Sequence, residues 1–308
     1  MIFKNVQAEF NSDTRVNNDN WSAFREMNRE QVFKIVFKRN FLNFNRILLL
    51  GAGNGNDIDI NYLEDIFDEV VVADIDEEAL DYLISKSKNP NKFTKVIIDL
   101  SGVESQMNSY DFNNKTSTQI ETFVRKLKIN MDFSDINGEF DCVINCNYTS
   151  QLVNPFILKT LEEYNIKPTS NLLLLLSELS SKIITILFNF IYSVLHAKGI
   201  FIHSTDLFEV SFNEKTDYKS PGFIEIMTAL NGKIENIDLL LKGEVVAPLI
   251  SKYALVGSYI PDSEFKFESL RFVPWKFSFK DYYVKYYICM VYAYKKGFVP
   301  NQKIISDL

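Results

Sequence analysis

Five short apolar runs punctuate the chain: RILLL at 46–50, EVVVADI at 69–75, KVIID at 95–99, FDCVINC at 140–146 and GIFIHST at 199–205. Runs of Val, Ile and Leu without polar alternation suit strands buried on both faces. Between them the spacing predicts helices at roughly Asn56–Phe67, Glu77–Lys88, Thr116–Lys128 and Ser170–His196. Strands separated by helices make βαβ units, and hence an α/β fold with a mostly parallel sheet covered on both faces.

Ahead of the first run, Trp21, Phe24, Met27, Val32, Phe33 and Val36 fall near a 3.6-residue period and predict a helix from about Trp21 to Leu42. Residues 1–19 are polar and Asn-rich, with little to pack. Residues 1–44 therefore read as an N-terminal helical extension or cap, and 45–308 as a single main domain. Ser105–Asn137 reads as a polar insertion with a helix in its middle. VSFNEKTDYKSPGF, from Val210, reads as a mobile lid, and GFIEIMTALNG as a helix closed by Gly232. The aromatic, partly alternating stretch WKFSFKDYYVKYYICMVYAYKK predicts two late strands, paired as an antiparallel hairpin at the sheet edge.

Charge and composition narrow the functional classes. A net charge of −7 argues against a general nucleic-acid binder, which presents a basic surface. The 26 Phe and 15 Tyr predict thick aromatic packing and an aromatic-lined pocket. Cys142, Cys146 and Cys289 form no metal-ligand pattern, so no metal is expected; Cys142 and Cys146 fall in a buried strand, where thiols behave as small hydrophobes. With no disulfide framework and no secretory signal, a reducing cytoplasm is the expected location. Asn171–Leu195 is long enough to span a bilayer, but Glu178 and Lys182 fall inside it four residues apart, as a solvent-side helical pair would. A long, mostly buried helix is the expectation, and no membrane partner.

The chemistry concentrates after the first run, where the chain reads GAGNGND. Gly51, Gly53 and Gly55 permit a tight turn and let a ligand approach where a Cβ would block it. Ala52 and Asn54 lie between them. Asn56 and Asp57 then suit a helix start, whose free N–H groups attract polar or anionic atoms. A dinucleotide fingerprint needs a third glycine where Asn56 stands, which argues against a nicotinamide oxidoreductase. The second run ends at Asp74, nineteen residues after Gly55, where a carboxylate can accept both hydroxyls of a ribose. Ile75 follows and can pack on an adenine face. Asp99, with Leu100 beside it, ends the third run within hydrogen-bonding reach of an adenine amine.

Taken together, ILLLGAGNGND, VVVADIDEEAL, VIIDL, FDCVINCNYTSQL and LHAKGIFIHSTD resemble the class I S-adenosylmethionine-dependent methyltransferases across about residues 45 to 210. The resemblance implies a Rossmann-like sheet of seven strands, with the last strand inserted antiparallel, and S-adenosylmethionine as cofactor. By the same resemblance, Gly51, Gly53 and Gly55 line its methionine part, Asp74 holds the ribose and Asp99 sits near the adenine. Members usually carry an acid two residues before the first glycine, where this chain has Leu49. Asp57 is the residue that can take over binding of the methionine amino group.

By the rule for open α/β sheets, the acceptor belongs at the carboxyl ends of the strands. The fourth run leads into Asn145, Asn147, Tyr148 and Gln151, and the fifth offers His203 and Asp206. Asn145 is assigned to the cofactor, and Tyr148, His203 and Asp206 to the reacting end. Methyl transfer to a small-molecule acceptor is the leading expectation. An aminopropyltransferase and a non-catalytic methyltransferase-like binding module are the alternatives.

Overall fold

A computed structural model describes residues 2–15, 21–40, 44–258, 265–277 and 282–297. The chain opens with helix α1 (Ile2–Arg15), followed by α2 (Ser22–Met27) and α3 (Lys34–Asn40), which are joined by a π-helical turn at Asn28–Phe33. Strand β1 (Arg46–Leu50) leads to α4 (Ile60–Ile66), β2 (Glu69–Asp74), α5 (Glu77–Ser85) and β3 (Phe93–Ile97). Asp59 and Asp76 cap α4 and α5, accepting from Tyr62 N and Ala79 N. The polar insertion carries α6 (Glu104–Ser109) and α7 (Ser117–Lys126), the latter opened by a Thr116–Gln119 capping box.

Strand β4 (Phe140–Cys146) precedes α8 (Asn154–Glu163), the long α9 (Ser170–Val194) and a 19-residue β5 (Leu195–Asn213). The remainder is β6 (Tyr218–Lys219), α10 (Phe223–Ala229), α11 (Gly243–Tyr253), β7 (Phe265–Lys276) and β8 (Tyr283–Lys296).

The sheet runs β3-β2-β1-β4-β5-β8-β7, with β6 paired to the far end of β5. Strands β1 to β5 are mutually parallel, and β8 is antiparallel to both of its neighbours. The expected mostly parallel sheet with one inserted antiparallel strand is thus present, with eight strands where seven were expected, because β6 adds a short flap. Strand order reverses between β1 and β4. Loops leaving those two strands diverge to opposite faces and open a crevice at their carboxyl ends, where α/β sheets bind ligands.

Buried residues form two layers. One lies under α7, α8 and α9, and the other under α2, α3, α4 and α5. Helix α9 is long and apolar enough to cross a bilayer, yet half of that stretch is buried within the protein. Leu172, Leu176, Ile183, Leu187 and Ile191 face the sheet, while Glu178 and Lys182 are exposed.

Three expectations need correction. Residues 2–15 form a helix that buries Val6 and Asn11, although its sequence holds few apolar positions. The segment read as a lid is a paired hairpin, with Phe212 opposite Lys219 and Asn213 opposite Tyr218. The late pair begins ten residues earlier than expected, and Trp275 nearly closes β7 instead of opening it. Of this late pair β7 alone lies at a sheet edge; β8 is internal, as its buried Ile288–Tyr294 stretch requires.

Candidate functional site

A large cavity of about 620 Å³ opens at the carboxyl ends of the parallel strands. Its floor begins at the glycine loop. Gly51, Gly53 and Gly55 all have positive φ, at 68°, 46° and 63°, so three left-handed residues alternate along five positions. Gly51 N and Ala52 N both donate to Ala73 O, which folds the loop back on the end of β2. Only the first two glycines face the cavity. Gly55 instead packs on α5, where a Cβ would stand 3.0 Å from Leu83 Cδ1.

Asp74 sits 6% exposed at the end of β2. Its Oδ2 accepts from Gly53 N at 2.9 Å and its Oδ1 from Asp76 N at 3.0 Å. Burial pushes this carboxyl up to about 6, against the lowering effect of those two N–H donors. Asp99 also lines the cavity, with Ile75, Ile98 and Leu100 nearby. Its carboxylate is engaged locally, taking Ser101 N, Ser101 Oγ and Glu104 N at 2.8, 2.5 and 2.9 Å. Asp99 therefore holds the start of α6 as well as facing the cavity.

Asp57 is 8% exposed and accepts from Asn147 Nδ2 at 3.0 Å. Asn147 in turn accepts from Ser204 Oγ at 2.5 Å, so one buried chain ties the glycine loop to β4 and β5. Asn147 takes φ 53°, a conformation that asparagine tolerates better than most residues. Burial first, and then the nearby charge of Asp206, push the Asp57 carboxyl up to about 6. From behind, the π-helical turn clamps the same loop. Arg25 Nη1 donates to Asn56 O, Asn28 Nδ2 to Asp57 O and Arg29 Nη1 to Asp59 Oδ2. Such turns often mark functional stretches of a helix, and here Asn28 and Arg29 of the turn hold the loop together with Arg25 of α2.

Tyr148 packs its ring on Gly51, and its hydroxyl is buried without a hydrogen-bond partner among the described residues. Burial pushes that hydroxyl well above its ordinary range, so it stays neutral. Asp206, 2% exposed, accepts from Ser150 Oγ at 2.9 Å and from Cys289 Sγ at 3.4 Å. It too is pushed up to about 6 by burial.

Of the sequence-predicted residues, Gly51, Ala52, Gly53, Asn54, Asp57 and Asp74 line the cavity. So do Ile75, Asp99, Leu100, Tyr148 and Asp206. Three do not: Gly55, Asn145 and His203. The last two sit fully buried in β4 and β5, where Asn145 Nδ2 meets His203 Nδ1 at 2.7 Å. The His203 ring stands edge-on to Phe188 at 5.1 Å, in the core beneath α9. Strand alternation explains the correction: Asn145 and His203 point away from Cys146 and Ser204, whose face adjoins the crevice.

Two further walls were expected only in outline, as an N-terminal cap and an aromatic-lined pocket, without the residues that build them. Helix α1 roofs the cavity through Gln7, Phe10, Asn11 and Thr14. Asn11 Nδ2 donates to Asp76 Oδ2 at 2.8 Å, and Asn54 Nδ2 donates to Asn11 O at 2.7 Å. Across from it, Trp21, Trp275, Phe277 and Tyr287 form an aromatic wall beside Glu209 and Lys285. The alternation of β8 was the available signal, since Lys285 and Tyr287 share one of its faces.

No protein-family model matches the chain, and no curated protein does either. Among solved structures, the chain is similar to a candidate RNA methyltransferase from Pyrococcus horikoshii. Identity is 10% and the TM-score 0.40, over 87% of this chain and 82% of that one. It is also similar to an S-adenosylmethionine-dependent methyltransferase from Clostridium acetobutylicum, at 13% identity and TM-score 0.37, over 91% and 92% of the two chains. A third is the N-methyltransferase NodS of Bradyrhizobium japonicum in complex with S-adenosyl-L-homocysteine, at 9% identity and TM-score 0.38, over 89% and 87%.

Proposed function

We propose that the chain is an S-adenosylmethionine-dependent methyltransferase acting on a small-molecule acceptor. One observation carries this reading: the glycine loop, Asp74, Asp99 and Asp57 all line the same cavity at the carboxyl ends of β1, β2 and β3. A sulfonium nucleoside needs a glycine cradle, a diol acceptor, an apolar slot for adenine and an anion for its ammonium. Gly51 and Gly53 supply the cradle, Asp74 the diol acceptor, Ile75 and Leu100 the slot, and Asp57 the anion. The residues fit the group.

Leu49 stands where the family usually has an acid, and it is buried within β1. Asp57 answers that absence. It is a buried carboxylate hydrogen-bonded by the Asn147 amide, with the Arg25 guanidinium acting on it only from a distance, and an ammonium relieves the cost of that state.

When bound, the sulfonium supplies an electrophilic methyl group. The chain's own work is then to orient the acceptor and exclude water. Tyr148 follows the end of β4 and Asp206 lies within β5, on the side of the cavity away from Asp74 and Asp99. Helix α1 closes the roof, which restricts the acceptor to something that fits within the cavity and disfavours a nucleic-acid strand. The volume suits a nucleoside together with a modest acceptor.

Aminopropyl transfer draws support from the same acidic lining, since a polyamine acceptor would want it. The mass of the product separates the two reactions. Calorimetric titration with S-adenosylmethionine, S-adenosylhomocysteine and NAD tests the cofactor. Micromolar binding of the first two, lost in Asp74→Ala, supports the reading; binding of NAD alone ends it.

A further inference from the structure

The acceptor end of the cavity has a definite chemical character. Five carboxylates line the cavity as a whole, those of Asp57, Asp74, Asp99, Asp206 and Glu209, against the single ammonium of Lys285 among the described residues. That ammonium is already committed. Lys285 Nζ lies 3.2 Å from Glu209 Oε2, 4.8 Å from the centre of the Tyr287 ring and 5.5 Å from that of Phe277. The fold thus places an alkylammonium of its own against this aromatic wall, with a carboxylate beside it.

Asp206 has no such partner. It is nearly fully buried, lines the cavity, and is held by the Ser150 hydroxyl, the Gln151 amide and the Cys289 thiol, while the Lys285 ammonium, paired to Glu209, acts on it only from a distance. No ion pair to it occurs among the described residues. A buried carboxylate with neutral partners alone is expensive, and a ligand that brings a positive charge relieves it. Next to it the wall is broad. Ring centres of Trp275 and Phe277 are 5.4 Å apart, those of Phe277 and Tyr287 are 5.3 Å apart, and Trp21 meets Trp275 edge-on at 6.0 Å.

We propose that the acceptor is an amine with an apolar or aromatic body, bound through its ammonium to Asp206 and through its body to the wall of Trp21, Trp275, Phe277 and Tyr287. The proposal rests on the transfer reading above and names its substrate class. An anionic acceptor would face the carboxylates of Asp206 and Glu209 and find the cavity's lysine already paired. A neutral alcohol would bring no charge to pair with that of Asp206.

The chain has only two tryptophans, Trp21 and Trp275, and both line this cavity. Intrinsic tryptophan fluorescence therefore reports on the site directly. The experiment titrates the full-length protein, with and without S-adenosylhomocysteine, with 2-phenylethylamine, 2-phenylethanol and phenylacetate, and then with hexylamine and hexanol. The amines should bind saturably and at least about tenfold more tightly than the matched alcohols, with phenylacetate weakest. Asp206→Asn should remove that preference while leaving the alcohols unchanged. Where this variant fails to fold, the wild-type ranking of amine over alcohol decides.

Alcohols or phenylacetate binding as tightly as the amines would overturn the proposal, and so would the absence of a saturable signal from any of them. A parallel calorimetric titration with S-adenosylhomocysteine keeps the two readings apart. Amine preference without S-adenosylhomocysteine binding removes the methyl-transfer reading and leaves the amine site standing. S-adenosylhomocysteine binding without amine preference does the reverse.

Discussion

The ring of Tyr148 lies directly on Gly51: a Cβ built on that glycine would stand 2.2 Å from Tyr148 Cδ1. Gly51 also sits at φ +68°, which side-chain-bearing residues seldom adopt. The loops ending β1 and β4, which diverge around the crevice, therefore touch through the one residue type that allows it. Gly51→Ala must displace the ring and strain the backbone. Overpacking of about 1–3 kcal/mol and a left-handed cost of about 1–2 kcal/mol together predict roughly 2–5 kcal/mol of destabilisation. The urea midpoint should fall at unchanged slope. Adding Tyr148→Ala should restore part of the loss by making room. A single variant with a wild-type midpoint would be incompatible with the contact.

His203 gives the opposite kind of prediction. It is fully buried, paired to Asn145 and edge-on to Phe188, with no face on the cavity. His203→Leu should cost about 1–3 kcal/mol, because the Asn145 amide loses its buried partner. Affinity for S-adenosylhomocysteine should remain at the wild-type level in calorimetry. A variant of normal stability that no longer binds would return His203 to the site.

How much was legible follows from where each signal lived in the chain. RILLL, GAGNG and VVVAD are contiguous, and the tightness of the turn is written in the glycines themselves. The parallel βαβ unit and the placement of Asp74 and Asp57 in one cavity follow from them, whereas the inserted antiparallel strand was implied by the family resemblance. His203 misled because a residue at a strand end faces one side or the other by the parity of a single position, and the register of β5 on β4 decides it. Helix α1 was missed for a different reason. Its chief anchor is Asn11, a polar residue buried by contacts 43 and 65 positions away along the chain. No local periodicity reveals such a contact. Trp275 and Lys285 lie on different strands and come together only once β8 inserts between β5 and β7.

Asn11 makes the docking of α1 testable. Its amide donates to the Asp76 carboxylate at 2.8 Å, a hydrogen bond to a charged acceptor worth about 1.5–3 kcal/mol. Asn11→Ala should loosen α1 with little effect on the sheet, because Asp76 keeps its cap on Ala79 N. Hydrogen exchange should speed up in residues 2–15 and stay slow in β1 and β4. S-adenosylhomocysteine should dissociate faster from the variant, since the roof of its cavity opens more often. Uniform acceleration across the whole chain would instead mean that α1 and the sheet unfold as one unit.

Three of the cavity carboxyls make stability depend on pH in an unusual direction. Burial pushes Asp57, Asp74 and Asp206 each up to about 6 from the ordinary 3.8. Between those values the folded protein holds more protons than the unfolded chain. The stability these groups contribute is therefore present on the acid side and is lost as pH rises through about 6. Glu69 behaves in the opposite way: the Arg46 guanidinium holds it below 4.5, so its contribution fails only in stronger acid, outside this window. The ligand-free protein should melt at a higher temperature near about pH 5.5 than near about pH 7.5. Asp57→Asn, which carries no charge to bury, should flatten part of that slope. A ligand that brings an ammonium compensates the ionised forms, so S-adenosylhomocysteine should raise the melting temperature more at the higher pH. Thermal unfolding across the range, with and without the ligand, checks all three. A ligand-free melting temperature that climbs steadily from about pH 5.5 to about pH 7.5 would show that burial does not hold these carboxyls above their ordinary range.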